Sequence, residues 1–199
     1  MSMQEETFTP HNAAIVLIDH QPGVMNWVKS LPVKLVEGNV AMLAKLAVIL
    51  DIPLVVTSTR EDEGYLGTTI KAIQENAPEA FAKRIKRGGT MDAFLDPQFA
   101  QAVAATGRRN LILAGVTTDV CLYHASKAAL KAGYHIQIAA DASGSLSSLA
   151  DEATYERLRK LGAVVTSGLQ ILTELYPDFR TPEGVQADRV AAETLIKAL

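Results

Sequence analysis

Short apolar runs alternate along this chain with longer segments of helical period. The apolar runs are predicted strands, and they cover Ala14–Ile18, Pro53–Thr57, Asn110–Val116, His135–Ala140 and Ala163–Thr166. Several are β-branched and apolar on both faces, which is typical of parallel strands covered by helices on both sides. The segments of helical period are predicted helices over Val33–Leu50, Pro97–Thr106, Asp119–Ala132 and Ser148–Leu161.

Glycines mark the ends of three of these predicted helices. Gly107, Gly133 and Gly162 each lie where a helix gives way to a strand, a position that glycine favours. The unit of strand, helix and glycine repeats at about 25–30 residues, which indicates right-handed βαβ crossovers. We therefore predict a three-layer α/β/α fold with a doubly wound, mostly parallel sheet of about six strands.

Two regions depart from this rhythm. The stretch 61–90 is less regular, and we expect a loop there with a helix around Thr69–Ala77. The tail from Pro177 contains Pro182 and Gly184, and then a segment of helical period over Ala187–Leu199. The sequence thus predicts a single domain over residues 1–199, with its core at about 12–175 and a C-terminal appendage at 177–199.

Composition and charge narrow the class of protein. The 199 residues are 48% hydrophobic and 21% charged, with a net charge of −3, as expected of a globular domain rather than a disordered chain. Without a basic excess we expect no nucleic-acid partner. The longest apolar stretch is interrupted by Lys45, Asp51 and Pro53, and the N-terminus lacks a secretory pattern. We therefore expect neither a membrane span nor export.

Cys121 is the only cysteine in the sequence. A single cysteine excludes an internal disulfide and a multi-cysteine metal site, and it indicates a reducing, cytoplasmic setting. It lies in the first turn of the predicted helix that runs to Gly133, where the positive helix end and free N–H groups lower a thiol's pKa. The same N–H groups can form an oxyanion hole. Position alone leaves open the alternative of an inert, packed cysteine.

Other polar residues follow the carboxyl ends of the predicted strands, where open α/β sheets bind their ligands. Asp19 directly follows the first strand, and a carboxylate there is either a functional group or a helix cap. The basic run Lys83–Arg87 is either a solvated face or the source of a cation near Cys121 and Asp19.

Three further residues are weaker candidates. His20 could act as a ligand or a base, whereas His124 is expected to be packed or on the surface. Asp141 could act in catalysis, but we expect it to cap or brace the loop over residues 143–148. None of the motifs HExxH, GxGxxG, GxxxxGK[ST] and GxSxG occurs, so the sequence offers no argument for a zincin, dinucleotide binder, P-loop NTPase or α/β-hydrolase.

Three motifs taken in order resemble the isochorismatase-like cysteine hydrolases. They are Asp19 with Gln21, a basic residue before Ala93–Phe94, and the heptapeptide Gly115-Val-Thr-Thr-Asp-Val-Cys121. That family includes nicotinamidase and N-carbamoylsarcosine amidase. The resemblance extends over about residues 12–175 and implies a six-stranded parallel sheet between helices.

The resemblance is greatest to a branch of uncharacterised bacterial hydrolases in which an RxGxxxAW-type segment carries the basic residue. Arg87 stands at that position and is followed by Gly89, so the resemblance implies that Arg87 is the catalytic cation. Lys86 is the alternative catalytic cation, because lysine is commoner across the wider family.

The resemblance also implies a mechanism. Cys121 would attack an amide-type carbonyl and form a thioester, while Asp19 would accept and return the proton. A cis peptide between Val116 and Thr117 would turn the backbone N–H groups of Thr117 and Cys121 toward the oxyanion. The predicted function is therefore cleavage of a small amide-type C–N bond. The alternative is a non-catalytic or redox-sensing thiol protein on the same fold.

The sequence departs from two well-known members of that family. The loop over residues 60–64 contains no histidine, whereas metal-dependent nicotinamidases bring an aspartate and two histidines together, so we expect no metal and no cofactor. True isochorismatases lack the cysteine, which argues against vinyl-ether hydrolysis. The expected partners are a small-molecule substrate and further copies of the chain. Candidate pocket residues are Gln21, Thr59 and Trp27, and Trp27 could equally lie at an interface.

Overall fold

The structure is a computed structural model that describes residues 7–196. Within that range six strands form one sheet: β1 (Ala13–Ile18), β2 (Leu54–Thr59), β3 (Ile85–Arg87), β4 (Asn110–Gly115), β5 (His135–Ala139) and β6 (Val164–Thr166). All neighbouring strands are parallel, in the order β3-β2-β1-β4-β5-β6. The strand order switches direction between β1 and β4, and this is where such sheets open a crevice at their carboxyl edge.

Helices cover both faces of the sheet. The described helices are α1 (Pro22–Met25), α2 (Val33–Ile49), α3 (Lys71–Asn76), α4 (Pro78–Ala82), α5 (Pro97–Ala105), α6 (Tyr123–Lys131), α7 (Ser148–Lys160), α8 (Gly168–Leu175) and α9 (Pro182–Ala191). Two π-helical turns add Thr118–Leu122 and Ala192–Ile196. Among residues 7–196, no helix is both long and apolar enough to cross a bilayer.

The alternation of side chains along β1 divides the core into two layers. Ile15 and Leu17 pack with Val40 of α2 on one face, whereas Val16 packs with Phe99 of α5 on the other face. Every residue of β1 is buried, because a central parallel strand places successive side chains in opposite covered layers. This arrangement confirms the predicted three-layer α/β/α fold.

Several elements differ from those predicted. The strand β3 lies inside the stretch predicted as a loop, and the helices α1, α4 and α8 were not predicted. The C-terminal helix α9 begins at Pro182 rather than at Ala187, since the Thr181 hydroxyl accepts a hydrogen bond from the Gly184 N–H and caps the helix there. Residues 197–199 of the predicted tail helix lie outside the described residues.

The C-terminal helix packs onto the domain. Ala187 and Val190 of α9 share a buried cluster with Met42 of α2 and Leu172 of α8. The turn that follows α9 adds an ion pair, since Glu193 lies 2.5 Å from the Lys45 ammonium. The last described residues therefore form part of the layer that covers the sheet on the α2 side.

Candidate active site

Asp19 is the first residue after β1 and is fully buried. Its backbone adopts a left-handed conformation with φ of +57°, which aspartate tolerates better than most residues and which is enriched at functional sites. The Asp19 N–H donates to the Thr57 carbonyl at 3.0 Å, so the residue remains tied to the neighbouring strand. This backbone turn places the carboxylate at the carboxyl edge of the sheet, beside the switch point between β1 and β4.

Arg87 is the last residue of β3, and its guanidinium pairs with Asp19 without any exposure of either side chain. Nη2 donates to both Asp19 carboxylate oxygens, at 2.6 and 2.5 Å. The other donors are used as well, since Nε lies 2.9 Å from Thr57 Oγ1 and Nη1 lies 2.7 Å from the Thr90 carbonyl oxygen. Gly89, at φ of +106°, supplies the backbone turn between Arg87 and Thr90.

Lys86 points away from this pair. Its side chain is 47% exposed, and its ammonium lies 3.7 Å from Glu61 Oε1 and 3.5 Å from Asp62 Oδ1. Consecutive residues of a strand face opposite sides of the sheet, so only one of the two cations can reach Asp19. The structure places Arg87 there, and the alternative assignment of Lys86 as the catalytic cation is therefore wrong as to position.

Cys121 lies in the π-helical turn between β4 and α6, 8% exposed. Its thiol lies close enough to the Asp19 carboxylate for the two groups to shift each other's pKa. Within the segment that joins β4 to this turn, the Val116–Thr117 peptide is cis. The backbone of Thr117 lies beside the thiol and lowers its pKa. The structure thus brings Asp19, Arg87 and Cys121 into one contact chain.

The pKa of the Cys121 thiol is raised, chiefly by burial and then by the negative charge of Asp19. Arg87 and the Thr117 N–H lower this pKa, but their effect is the smaller one. The expectation that a helix start lowers the pKa of this thiol is therefore wrong, since burial and a neighbouring carboxylate outweigh the helix terminus. This raised pKa favours the protonated thiol in the resting site.

Burial also raises the pKa of Asp19, and the charge and hydrogen bonds of Arg87 oppose that rise. A carboxylate in this position is a stronger base than one in water, yet its cationic partner favours the charged form. The pair can therefore accept the thiol proton when a substrate arrives.

Gln21 braces two loops. Its side chain is fully buried, and its Oε1 accepts from the Thr59 N–H at 2.7 Å. Its Nε2 donates to the carbonyl oxygens of Thr59 and Gly67 at 3.0 and 2.7 Å. These three backbone partners give Gln21 a structural role at the end of β2. Thr59 is half-buried at the end of β2, and Trp27 is 56% exposed.

Two histidines, His20 and His124, lie near Cys121 in the sequence or at the same sheet edge. His20 is buried, and burial lowers its pKa to about 4. Its Nε2 lies 2.9 Å from the Ala142 carbonyl oxygen, and because a carbonyl only accepts, Nε2 is assigned as the donor. His124 is exposed on α6. Burial therefore keeps the His20 ring neutral, whereas His124 lies on the surface of α6.

Asp141 caps a helix. Its Oδ1 accepts from the Gly168 N–H at 2.7 Å, which satisfies a free donor at the start of α8. Asp141 is thus a capping residue, as one of the two expected roles had it, but it caps α8 rather than the loop over residues 143–148. Thr57 is the residue that the sequence interpretation missed: it accepts from Arg87 and donates to the Ile85 carbonyl oxygen at 2.8 Å. The available signal was a hydroxyl at the end of an otherwise apolar strand.

Comparison with known proteins places this geometry in context. The profile of the isochorismatase domain matches residues 13–170. The protein named probable hydrolase YcaC from Escherichia coli (strain K12) is 30% identical over 170 residues, which cover 85% of this chain and 80% of that protein.

Two solved structures share the fold along nearly the whole chain. YcaC from Pseudomonas aeruginosa, solved with hexane-2,5-diol and covalent acrylamide, has a TM-score of 0.90 at 30% identity and covers 99% of this chain and 96% of that chain. The Escherichia coli YcaC gene product, an octameric hydrolase of unknown specificity, has a TM-score of 0.88 at 27% identity, covering 96% of this chain and 91% of that chain.

Proposed function

Since the chain belongs to the isochorismatase family of hydrolases, we propose that it hydrolyses a small amide-type C–N bond through a thioester on Cys121. The observation that carries this proposal is the buried contact chain from the Cys121 thiol through the Asp19 carboxylate to the Arg87 guanidinium. A nucleophile, a base within hydrogen-bond reach and a third group that orients the base form the arrangement that covalent hydrolysis needs.

The first step joins proton transfer to attack. As Sγ of Cys121 bonds to the amide carbon, Asp19 accepts the thiol proton, and the carbonyl oxygen takes the negative charge. The N–H groups of Thr117 and Cys121 bind this oxyanion. Because the resting thiol is protonated, its nucleophilicity depends on Asp19, whose charge is maintained by Arg87.

The second step releases the nitrogen, and the third restores the thiol. Asp19 delivers its proton to the leaving nitrogen as the C–N bond breaks, so a primary amide loses ammonia. Water then attacks the thioester carbonyl while Asp19 accepts a proton from it. The Cys121 sulfur leaves, and it recovers its proton from Asp19 as the acid departs. Thiol, carboxylate and guanidinium supply every proton and charge in this sequence, so it calls for no metal or cofactor.

The relatives suggest the size of the substrate and the state of assembly. Acrylamide, which is covalently present in the Pseudomonas aeruginosa YcaC structure, is a small primary amide and an electrophile. We propose that the site of this chain accepts amides of similar size, with Thr59 and Trp27 as candidate pocket residues. The octameric Escherichia coli relative supports a homo-oligomer for this chain.

The alternative of a redox-sensing thiol has less support. Sensor cysteines are exposed and have a lowered pKa, whereas Cys121 is 8% exposed and its pKa is raised. Treatment with peroxide followed by non-reducing electrophoresis is therefore expected to leave the protein without an intermolecular disulfide.

A screen of small primary amides for ammonia release tests the proposal. We expect at least one amide to be turned over by the native protein and none by Cys121→Ala, with intact-protein mass spectrometry showing an acyl adduct on the native chain at early times. Ammonia release that survives in Cys121→Ala would exclude Cys121 as the nucleophile. Failure of every small amide would refute the proposed substrate class.

A further inference from the structure

The segment Ala142–Ser145 follows β5. Its backbone and side chains contact the carboxyl ends of β1 and β4. It begins beside His20, whose Nε2 donates to the Ala142 carbonyl oxygen at 2.9 Å. It ends at Ser145, whose N–H donates to Ser30 Oγ at 3.0 Å. This segment therefore joins the end of β1, next to Asp19, to the loop that follows α1.

Ser143 is fully buried in the middle of this segment. Its hydroxyl oxygen accepts from the Gly115 N–H at 3.1 Å and donates to the Ala139 carbonyl oxygen at 3.0 Å. Gly115 is the last residue of β4, two residues before Thr117, and Ala139 is the last residue of β5. The hydroxyl thus fixes the end of the strand that leads into the predicted oxyanion hole.

Gly144 holds the other side of the same short segment. Its carbonyl oxygen accepts from the Thr118 N–H at 3.0 Å. A Cβ at Gly144 would lie 2.7 Å from Cγ1 of Val28, so a side chain at this position would clash with Val28. Residues on both sides of the Val116–Thr117 pair are therefore hydrogen-bonded to Ser143 and Gly144, and only the Ser143 bond can be removed by changing a side chain.

We propose that Ser143 is a positioning residue for the oxyanion hole, and that its hydroxyl holds the β4 end so that the Thr117 N–H faces the reacting oxygen. The inference rests on the proposed function in using Cys121 as the nucleophile. Removing the hydroxyl leaves the Gly115 N–H without its hydrogen-bond acceptor inside the core. The end of β4 before Thr117 then loses the side-chain hydrogen bond that holds it.

Two reagents separate oxyanion stabilisation from thiol reactivity. 4-Nitrophenyl acetate acylates a thiol through a tetrahedral oxyanion, and it releases 4-nitrophenolate. Iodoacetamide alkylates the same sulfur by direct displacement of iodide, which forms no oxyanion. Both single-turnover rates can be measured at Cys121 by intact-protein mass spectrometry, with Cys121→Ala as the blank.

In Ser143→Ala we expect the acylation rate to fall about tenfold or more, since losing one oxyanion donor outright costs about 10²–10³. The alkylation rate should change less than about twofold, because it needs no oxyanion hole. Ser145→Ala is the matched control, since its buried hydroxyl donates to the Ser147 carbonyl oxygen at 3.0 Å instead. Both rates should stay within about twofold of native there, as no oxyanion donor is disturbed.

The isosteric pair Ser143→Thr and Ser143→Val repeats the test should the alanine variant not fold. Threonine keeps the hydroxyl and valine lacks it, so acylation should be faster in the threonine variant while the alkylation rates match. Equal acylation rates in that pair, or a parallel fall of both reactions in Ser143→Ala, would overturn the assignment. Neither result depends on an amide substrate, so failure of the amide screen and failure of this inference can be told apart.

Discussion

Two ion-pair clusters arise from one basic run, Lys83–Arg87, and they differ in burial. Arg87 pairs with Asp19, and neither side chain has any exposed surface. Arg84 and Lys86 pair instead with Glu61 near the surface, where the Lys86 side chain is 47% exposed. Neighbouring residues of one short strand therefore supply a cation to the interior and a cation to solvent.

The two carboxylates respond in opposite directions. Arg84 hydrogen bonds lower the pKa of Glu61 to about 2, whereas burial raises the pKa of Asp19 despite its contact with Arg87. The difference shows that a cation makes a carboxylate a weaker base where water is near, and that burial outweighs the cation where it is not. Asp19 is therefore the stronger base of the two carboxylates.

Removal of the buried cation should have the largest effect. Arg87→Met leaves the Asp19 carboxylate buried and unpaired, which costs about 3–5 kcal/mol of the free energy of unfolding. It also raises the pKa of Asp19 further, so the protonated residue no longer accepts the thiol proton. Amide hydrolysis should fall by about 10²–10⁴, the range for loss of general acid–base catalysis. Urea unfolding and ammonia release measure the two effects.

Exchange of the buried base should move two reactions in opposite directions. Asp19→Asn removes the charge that raises the pKa of Cys121, so alkylation by iodoacetamide should reach its half-maximum at lower pH. Hydrolysis should nevertheless fall by about 10²–10⁴, because no group accepts the proton.

The pH profile of alkylation and the rate of ammonia release check this pair of effects. Asp141→Asn is the control, since it removes another carboxylate at the same sheet edge, one that caps α8. A Cys121 profile that shifts to higher pH in Asp19→Asn would contradict the described contact between the thiol and Asp19.

Much of the fold could be predicted because central parallel strands are apolar on both faces. Strands such as β1 and β4 are fully buried, and that burial is visible as an uninterrupted apolar run. The edge strand β3 has only three residues, two of them cations. Its extended form depends on pairing with β2, as in the register of Thr59 with Arg87, and pairing is a tertiary property that no local pattern records.

The candidate site could be predicted as a set of residues but not as an electrostatic arrangement. Asp19 and Cys121 follow strands whose ends meet at the switch point, so their proximity follows from topology. The choice between Lys86 and Arg87 required the register of β3. The pKa direction of Cys121 required its burial and its contact with Asp19, which outweigh the helix start that the sequence shows.

The ion pairs of Glu61 with Arg84 and Lys86 should contribute less to the free energy of unfolding than the Asp19–Arg87 pair does. Their contribution should also depend on pH. Glu61 has a pKa of about 2 instead of 4.5, so its pairing stabilises the fold fully above pH 4.5, and this stabilisation is lost as pH falls toward 2. Arg84→Met should therefore lower the free energy of unfolding by about 1 kcal/mol at pH 6. Urea unfolding at pH 6 and pH 3 should show the difference from native shrinking, whereas a constant difference would mean that Arg84 acts through packing on Phe81.

The smallest effect is expected at Lys86, the matched control for Arg87. Its ammonium lies 3.7 Å from Glu61 and 3.5 Å from Asp62. Because Lys86 and Asp62 are exposed, these contacts are weakened by salt. Lys86→Met should therefore change the free energy of unfolding by less than about 0.5 kcal/mol and ammonia release by less than about twofold. Loss of hydrolysis in Lys86→Met with full activity in Arg87→Met would reverse the comparison, since an exposed cation would then control a base that it does not contact.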